Sequence, residues 1–90
     1  MDIEYDPAKW GVTFKERGLD MARATEVFHG PHITVPDIRF DYGEERFVTI
    51  GLLDERMIIM AWTPRGEACR IISMRKANDR EERKYRPRLG

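Results

Sequence analysis

The chain has 90 residues, of which 41% are apolar and 36% are charged, a composition that predicts one folded domain over residues 1–90 and argues against disorder. It contains no run of about 18 apolar residues that could span a membrane, and its acidic start, Met1-Asp2-Ile3-Glu4, lacks the apolar stretch of a signal peptide. The single cysteine, Cys69, excludes an intramolecular disulfide and is typical of a reducing compartment, so we expect a cytoplasmic protein with no membrane partner.

The N-terminal part of the chain predicts a short edge strand at residues 3–5 followed by a helix. Asp6 is a suitable N-cap, and Pro7 suits the first helical position because its missing N–H would have no partner there. Gly18 is a typical residue for ending a helix in the left-handed conformation. These signals predict a helix over residues 7–17.

A second helix is predicted from Met21 to Phe28, because apolar residues recur at helical spacing after the N-cap candidate Asp20. In the first helix, Trp10 and Phe14 are four residues apart and share a face. We expect this aromatic pair to anchor the first helix on the core.

Four strand patterns follow. The segment 57–63 is apolar at nearly every position, which is typical of a central strand covered on both faces. Asp54-Glu55 and the segment 64–67 carry turn residues, so they should connect neighbouring antiparallel strands. The predicted strands are residues 33–35, 46–52, 57–63 and 68–74.

The last predicted element is a polar helix. Asn78 and Glu81 have the spacing of a capping box, Tyr85 is its one large apolar side chain, and Pro87 should end it. The elements together predict an α+β fold: an antiparallel sheet with two N-terminal helices packed on it and a short C-terminal helix.

The common catalytic motifs are absent from the sequence. His29 and His32 flank a Gly-Pro turn without the further ligands of a zinc site, so we expect neither a metal nor a cofactor. Cys69 lies in an apolar strand. Cysteines in such strands are more often buried structural residues than catalytic nucleophiles.

Charge is distributed unevenly along the chain. Residues 1–64 hold seven basic and twelve acidic side chains (net −5), whereas residues 65–90 hold nine basic and four acidic ones (net +5). This asymmetry indicates either a basic face that binds a polyanion or a solvated helix with internal ion pairs.

The cations near the last strand and helix favour the polyanion. A guanidinium is planar and permanently charged, which suits phosphate, and cations can stabilise the charge that develops when an RNA 2′-hydroxyl attacks the adjacent phosphorus. An aromatic side chain could stack on a base. A single exposed arginine is more often a surface ion pair, but the cluster favours RNA. The candidate catalytic residues are Arg65, Arg75 and Arg80, and the candidate RNA-binding residues are Arg70, Lys76, Arg83 and Tyr85.

Three segments, residues 6–9 (DPAK), 43–51 (GEERFVTIG) and 70–77 (RIISMRKA), occur in an order that resembles the BrnT toxins of bacterial type II toxin–antitoxin systems. The likeness extends from Tyr5 to Tyr85. Gly30-Pro31 stands where Asp-Pro is usual, and Met74 where alanine is frequent; neither change affects the expected chemistry.

This resemblance implies a RelE-like fold and a metal-independent endoribonuclease that cleaves RNA and inhibits translation. It also implies neutralisation by a BrnA-type antitoxin, whose ribbon-helix-helix domain binds operator DNA with the toxin as co-repressor. RelE-like toxins place catalytic cations on the last strands and the C-terminal helix, where the candidate residues fall. No general base is evident, with Glu45 and His32 as the weak candidates. The alternatives are a non-catalytic protein-interaction module and an inactive toxin relic that acts only as an antitoxin-bound co-repressor.

Overall fold

The computed structural model of the protein describes residues 1–89. Over this range the chain forms an α+β structure with one five-stranded sheet, three α-helices and one 3₁₀ turn. The strands are β1 (Asp2–Tyr5), β2 (His32–Pro36), β3 (Phe47–Leu53), β4 (Arg56–Arg65) and β5 (Ala68–Lys76), the helices are α1 (Pro7–Arg17), α2 (Ala24–His29) and α3 (Asp79–Leu89), and the 3₁₀ turn is Met21–Arg23.

The sheet has the strand order β1-β5-β4-β3-β2. Strands β2 to β5 are antiparallel neighbours, as predicted, but β1 pairs with β5 in parallel, from Asp2 beside Ala68 to Tyr5 beside Ile71. The prediction of a purely antiparallel sheet is therefore wrong. Nearly the whole chain separates β1 from β5, so no hairpin turn constrains their relative direction.

The two faces of the sheet carry separate cores. Strand β4 alternates between them, with Ile58 and Met60 under the N-terminal helices and Met57 and Ile59 under α3, which confirms its prediction as a strand covered on both faces. The larger core also includes Leu19, Met21, Ala24, Val27, Leu53, Ile71 and Met74, and the smaller one includes Ile50 and Leu89.

A β-bulge interrupts the pairing of β5. Ala61 pairs with Ser73 and Trp62 pairs with Ile71, so one extra residue, Ile72, is accommodated on β5. As a result Ile71 and Met74, three residues apart, both lie in the core under the N-terminal helices. Strict alternation would have placed them on opposite faces.

The capping predictions for α1 are confirmed. Asp6 accepts a hydrogen bond from the Ala8 amide at 2.8 Å, and Gly18 ends the helix with a φ of 68°. The predicted aromatic anchor is only half correct: Trp10 packs against the core, whereas Phe14 stacks on the outer side of Trp10 and remains 51% exposed.

The second predicted helix is divided into a 3₁₀ turn and α2. Asp20 caps the turn through the Ala22 amide, and α2 continues to His29, one residue beyond the prediction. The Asp20 carboxylate also accepts a hydrogen bond from the Trp10 indole at 2.8 Å.

The C-terminal helix α3 is longer than predicted. Pro87 was expected to end it, yet α3 continues to Leu89 and is as long as α1. A proline costs a helix one hydrogen bond, and here it lies in the last turn, where burial of Leu89 to 7% exposure offsets that loss. Among the described residues, no helix is both long and apolar enough to cross a membrane.

Gly51 lies where β3 passes closest to α2. A Cβ at this position would lie 2.6 Å from Val27 Cγ1 and 3.2 Å from His32 Cβ. We predict that Gly51→Ala lowers the free energy of unfolding by about 1–3 kcal/mol because it overpacks the core. Gly11→Ala in α1 is the control, since its Cβ meets nothing within 4 Å and should raise this free energy by about 0.5–1 kcal/mol. Denaturant unfolding measures both; equal effects would contradict the close packing at Gly51.

Candidate functional site

A groove of about 340 Å³ lies on the α3 face of the sheet. Its floor is formed by apolar side chains of β3 and β4, among them Val48, Ile50 and Ile59. The segment Val35–Arg39 forms one wall, and Ser73 and Arg75 of β5 with Glu81 and Tyr85 of α3 form the other. The polar side chains of the groove thus come from three parts of the chain.

Arg75 is tied to α3 by a bidentate ion pair. Its two terminal nitrogens lie 2.8 Å from the two carboxylate oxygens of Glu81, and Glu81 also accepts a hydrogen bond from the Asn78 amide at 2.9 Å. The Asn78 side-chain oxygen accepts a hydrogen bond from the Glu81 amide at 2.8 Å, so the predicted capping box is confirmed. The Arg75 guanidinium lowers the pKa of Glu81 to about 2, and Glu81 in turn raises the pKa of Arg75. The guanidinium is therefore oriented while its side chain stays 45% exposed.

Arg39 holds the equivalent position on the opposite wall. Its Nε and one terminal nitrogen each lie 2.9 Å from a carboxylate oxygen of Asp37, whose side chain is only 3% exposed. The Tyr42 hydroxyl donates a further hydrogen bond to Asp37 at 3.2 Å. The bond from Arg39 is the main reason why the pKa of Asp37 falls to about 2. Arg39 and Arg75 thus line the same groove from opposite walls.

Arg39 is absent from the residues predicted by sequence. It belongs to a polar connector, and nothing in its local pattern indicates that this connector returns to the sheet. In the structure, a backbone hydrogen bond brings the connector back to the sheet, because the Asp37 amide donates to the Arg46 carbonyl at 2.8 Å. The Asp37–Arg39 spacing was the only available signal, and by itself it indicates a local ion pair.

Arg75 and Tyr85 are the predicted residues that meet at the groove. Tyr85 also packs against the smaller core, and the Lys84 ammonium lies 5.1 Å from its ring centre. Tyr85 therefore docks α3 on the sheet while it also lines the groove. Arg80 lies in the first turn of α3, and its side chain is exposed.

The other predicted cations are more distant from the groove. Arg65 is exposed at the far end of β4, six residues from the partner of Arg75, which corresponds to about 20 Å along a strand. Arg70 lies on β5 with a guanidinium nitrogen 3.7 Å from the Glu4 carboxylate. Lys76 directly follows Arg75 and therefore points to the opposite face. Arg83 lines a shallow hollow on α3 with Glu82 and Arg86.

Neither candidate general base lies in the groove. The His32 ring packs edge-on against Phe28 beneath the N-terminal helices, and Glu45 lines a separate hollow beside Phe47. Cys69 is half-buried, and desolvation raises the pKa of its thiol, which disfavours a nucleophilic thiolate. In the part of the chain that the structure describes, no three His, Cys, Asp or Glu side chains form a group that could hold a metal ion.

A protein-family model described as "Ribonuclease toxin, BrnT, of type II toxin-antitoxin system" matches residues 5–81. The chain belongs to the BrnT family. The resemblance found in the sequence is thereby confirmed, and membership implies ribonuclease activity, an RNA substrate and an antitoxin partner. No curated protein matches the chain significantly. The region matched to BrnT contains Arg39, Arg75 and Glu81, whereas Arg83 and Tyr85 lie beyond it.

The Arg75–Glu81 pair should make stability depend on pH. Because the pKa of Glu81 lies below its ordinary value in the folded protein, its ionised form stabilises the fold above about pH 4.5, and this contribution disappears as the pH falls towards 2. We predict that Glu81→Gln reduces the loss of unfolding free energy between pH 4.5 and 2, measured by urea denaturation. Arg75→Ala should have a similar effect, and the double variant should add little. Fully additive effects would contradict the coupling.

Proposed function

We propose that this BrnT-family protein is an endoribonuclease toxin that binds a phosphate of RNA between Arg39 and Arg75. The observation that carries the proposal is the pair of guanidiniums, each oriented by a bidentate carboxylate, that line one open groove. The planar guanidinium of arginine can donate two hydrogen bonds to phosphate oxygens. Because each side chain is already oriented, it loses less conformational entropy when phosphate binds.

The proposed reaction is an internal transfer at phosphorus. The 2′-oxygen forms a bond to the adjacent phosphorus, the bond to the 5′-oxygen breaks, and the products are a 2′,3′-cyclic phosphate and a free 5′-hydroxyl. Negative charge increases on the non-bridging oxygens in the transition state, and Arg75 and Arg39 would stabilise it there. The Ser73 hydroxyl, which also lines the groove, would donate to the same oxygens.

Charge stabilisation, rather than acid–base catalysis, would supply most of the acceleration. The groove carboxylates Glu81 and Asp37 have pKa values of about 2, far below the value near 7 that suits a general base at neutral pH. We therefore propose that they position the arginines, that the 2′-hydroxyl proton passes to solvent, and that the leaving 5′-oxygen takes a proton from solvent. No metal has a role in this proposal.

The other predicted cations would hold the RNA strand on either side of the cleaved bond. Tyr85 lines the groove and would stack on a base, and Arg80, exposed in the first turn of α3, would contact the strand beside it. Arg70 and Arg65 lie further along β5 and β4 towards the hairpin. Lys76, on the opposite face of the sheet, and Arg83, in a separate hollow on α3, would add only to the overall attraction of the C-terminal part for RNA.

The biological role we propose follows from family membership. Cleavage of cellular RNA in the cytoplasm would inhibit translation, and a BrnA-type ribbon-helix-helix antitoxin would neutralise the toxin and bind operator DNA, with the toxin as co-repressor. We also propose that the fold is RelE-like, since the C-terminal helix and the last strands bring cations to one sheet face.

Removal of Arg75 should affect the chemical step most. We predict that Arg75→Ala lowers kcat on a fluorescent single-stranded RNA by about 10²–10³-fold, the usual effect of losing one donor to a developing oxyanion. Arg65→Ala should raise KM and leave kcat nearly unchanged, because Arg65 is remote from the groove. Arg56→Ala, at the β3–β4 turn, is the control and should match the wild type. A larger fall in kcat for Arg65→Ala than for Arg75→Ala would show that the site is misplaced.

Metal chelation should leave cleavage intact. We predict that purified toxin cleaves RNA at an unchanged rate in excess EDTA and produces 2′,3′-cyclic phosphate ends, which mass spectrometry identifies. Loss of cleavage in EDTA with recovery on adding Mg²⁺ would contradict the proposed mechanism. In cells, wild-type toxin expressed without antitoxin should arrest growth and degrade RNA, whereas the Arg75→Ala/Arg80→Ala variant should not. Intact RNA and growth with the wild type would instead favour a non-catalytic co-repressor.

A further inference from the structure

The two most exposed large apolar side chains of the described residues, Ile38 and Phe40, lie in one segment with Val35 at the β2 edge of the sheet. Ile38 is 86% exposed, Phe40 is 69% exposed and Val35 is 43% exposed. Single exposed apolar residues are ordinary, but neighbouring ones beside a groove are typical of interaction surfaces. We refer to Val35, Ile38 and Phe40 as the edge patch.

The segment that carries the edge patch is well ordered by its own contacts. The Asp37 amide donates to the Arg46 carbonyl at 2.8 Å and closes the segment. The Arg46 guanidinium lies 4.0 Å from the centre of the Tyr42 ring, and that ring packs edge-on against Phe40 at 5.8 Å. The fold thus presents Ile38 and Phe40 to solvent while these contacts hold the segment against the sheet edge.

The surroundings of the edge patch are acidic. Residues 37–46 contain four carboxylates, Asp37, Asp41, Glu44 and Glu45, against two arginines, which gives a net charge of −2. Arg39 of this segment lines the groove, where it is paired with Asp37, but the excess of carboxylates around the patch favours a cationic partner over RNA phosphate. Aliphatic groups framed by carboxylates instead complement a protein segment that is apolar and basic.

We propose that the edge patch is where the antitoxin docks, through a segment that carries apolar and basic side chains. The partner follows from family membership, and only the mechanism of neutralisation rests on the proposed function of the groove. Docking at the patch adds this mechanism, because Val35 and Ile38 also form a wall of the Arg39–Arg75 groove. A partner seated on the patch would cover the entrance through which RNA reaches the arginines.

The experiment compares opposite charges at one position. Ile38→Lys and Ile38→Glu both remove the apolar contact, but only lysine repels a basic partner. Val12→Lys and Val12→Glu are matched controls, since Val12 is 55% exposed on α1, beyond the opposite face of the sheet. Binding of the purified antitoxin from the same operon is measured by calorimetry, and circular dichroism checks folding.

We expect Ile38→Lys to raise the Kd for the antitoxin at least tenfold, of the order found at interface hot spots, and Ile38→Glu to raise it about threefold. Both Val12 variants should remain within about twofold of the wild type. Wild-type affinity in both Ile38 variants would overturn the proposal. Antitoxin-induced protection of amides 35–41 from hydrogen exchange in the unmodified toxin is a second measurement, and protection confined to other segments would also overturn it.

Two further outcomes separate the alternatives. If Ile38→Lys tightens binding of a 2′-O-methyl single-stranded RNA, Ile38→Glu weakens it, and neither changes antitoxin binding, then the patch contacts RNA and the docking proposal is wrong. If the wild-type toxin cleaves no RNA but Ile38→Lys still releases the antitoxin, the docking proposal holds and the proposed nuclease function fails.

Discussion

The ion pair between Arg75 and Glu81 joins the strand and the helix that together form one wall of the groove. Arg75 ends a strand and Glu81 begins a helix, so their bidentate contact fixes the angle at which α3 leaves the sheet. The same carboxylate caps the helix through Asn78, so one side chain starts α3 and orients the guanidinium. With Arg75 nearly half exposed, the pair adds little stability. Its importance is geometric. Two hydrogen bonds to Glu81 fix the plane of the Arg75 guanidinium, so its remaining N–H donors can point in only one direction.

The groove is electrostatically balanced rather than strongly basic. Arg39 and Arg75 each have a carboxylate partner, which agrees with the zero net charge of the chain. A phosphate must share each guanidinium with the carboxylate that already binds it. The carboxylates orient the guanidiniums, but they also weaken the long-range attraction of the site for RNA. RNA affinity should therefore depend on contacts along the strand, and those contacts weaken as salt increases.

Local signals explain what the sequence could predict. The caps at Asp6 and Asn78, the stop at Gly18 and the apolar run in β4 act over a few residues, and the structure confirms them. The parallel pairing of β1 and the extension of α3 past Pro87 depend on contacts between segments far apart in the chain, which no local pattern encodes. Arg75 was predicted because it lies where a strand ends and a helix begins. Arg39 was missed because its position depends on the return of a whole connector to the sheet.

The bulge at Ile72 acts as a phase shift in the alternation of β5. Before it, the odd-numbered residue Ile71 faces the N-terminal helices; after it, the odd-numbered residues Ser73 and Arg75 face α3. Regular pairing of every residue of β5, without the bulge, would instead place Lys76 on the α3 face and Arg75 on the opposite face. A compact ammonium would then stand where the planar guanidinium now meets Glu81. The bulge in β5 thus determines which of two adjacent cations reaches the groove, a constraint on strand pairing as much as on residue identity.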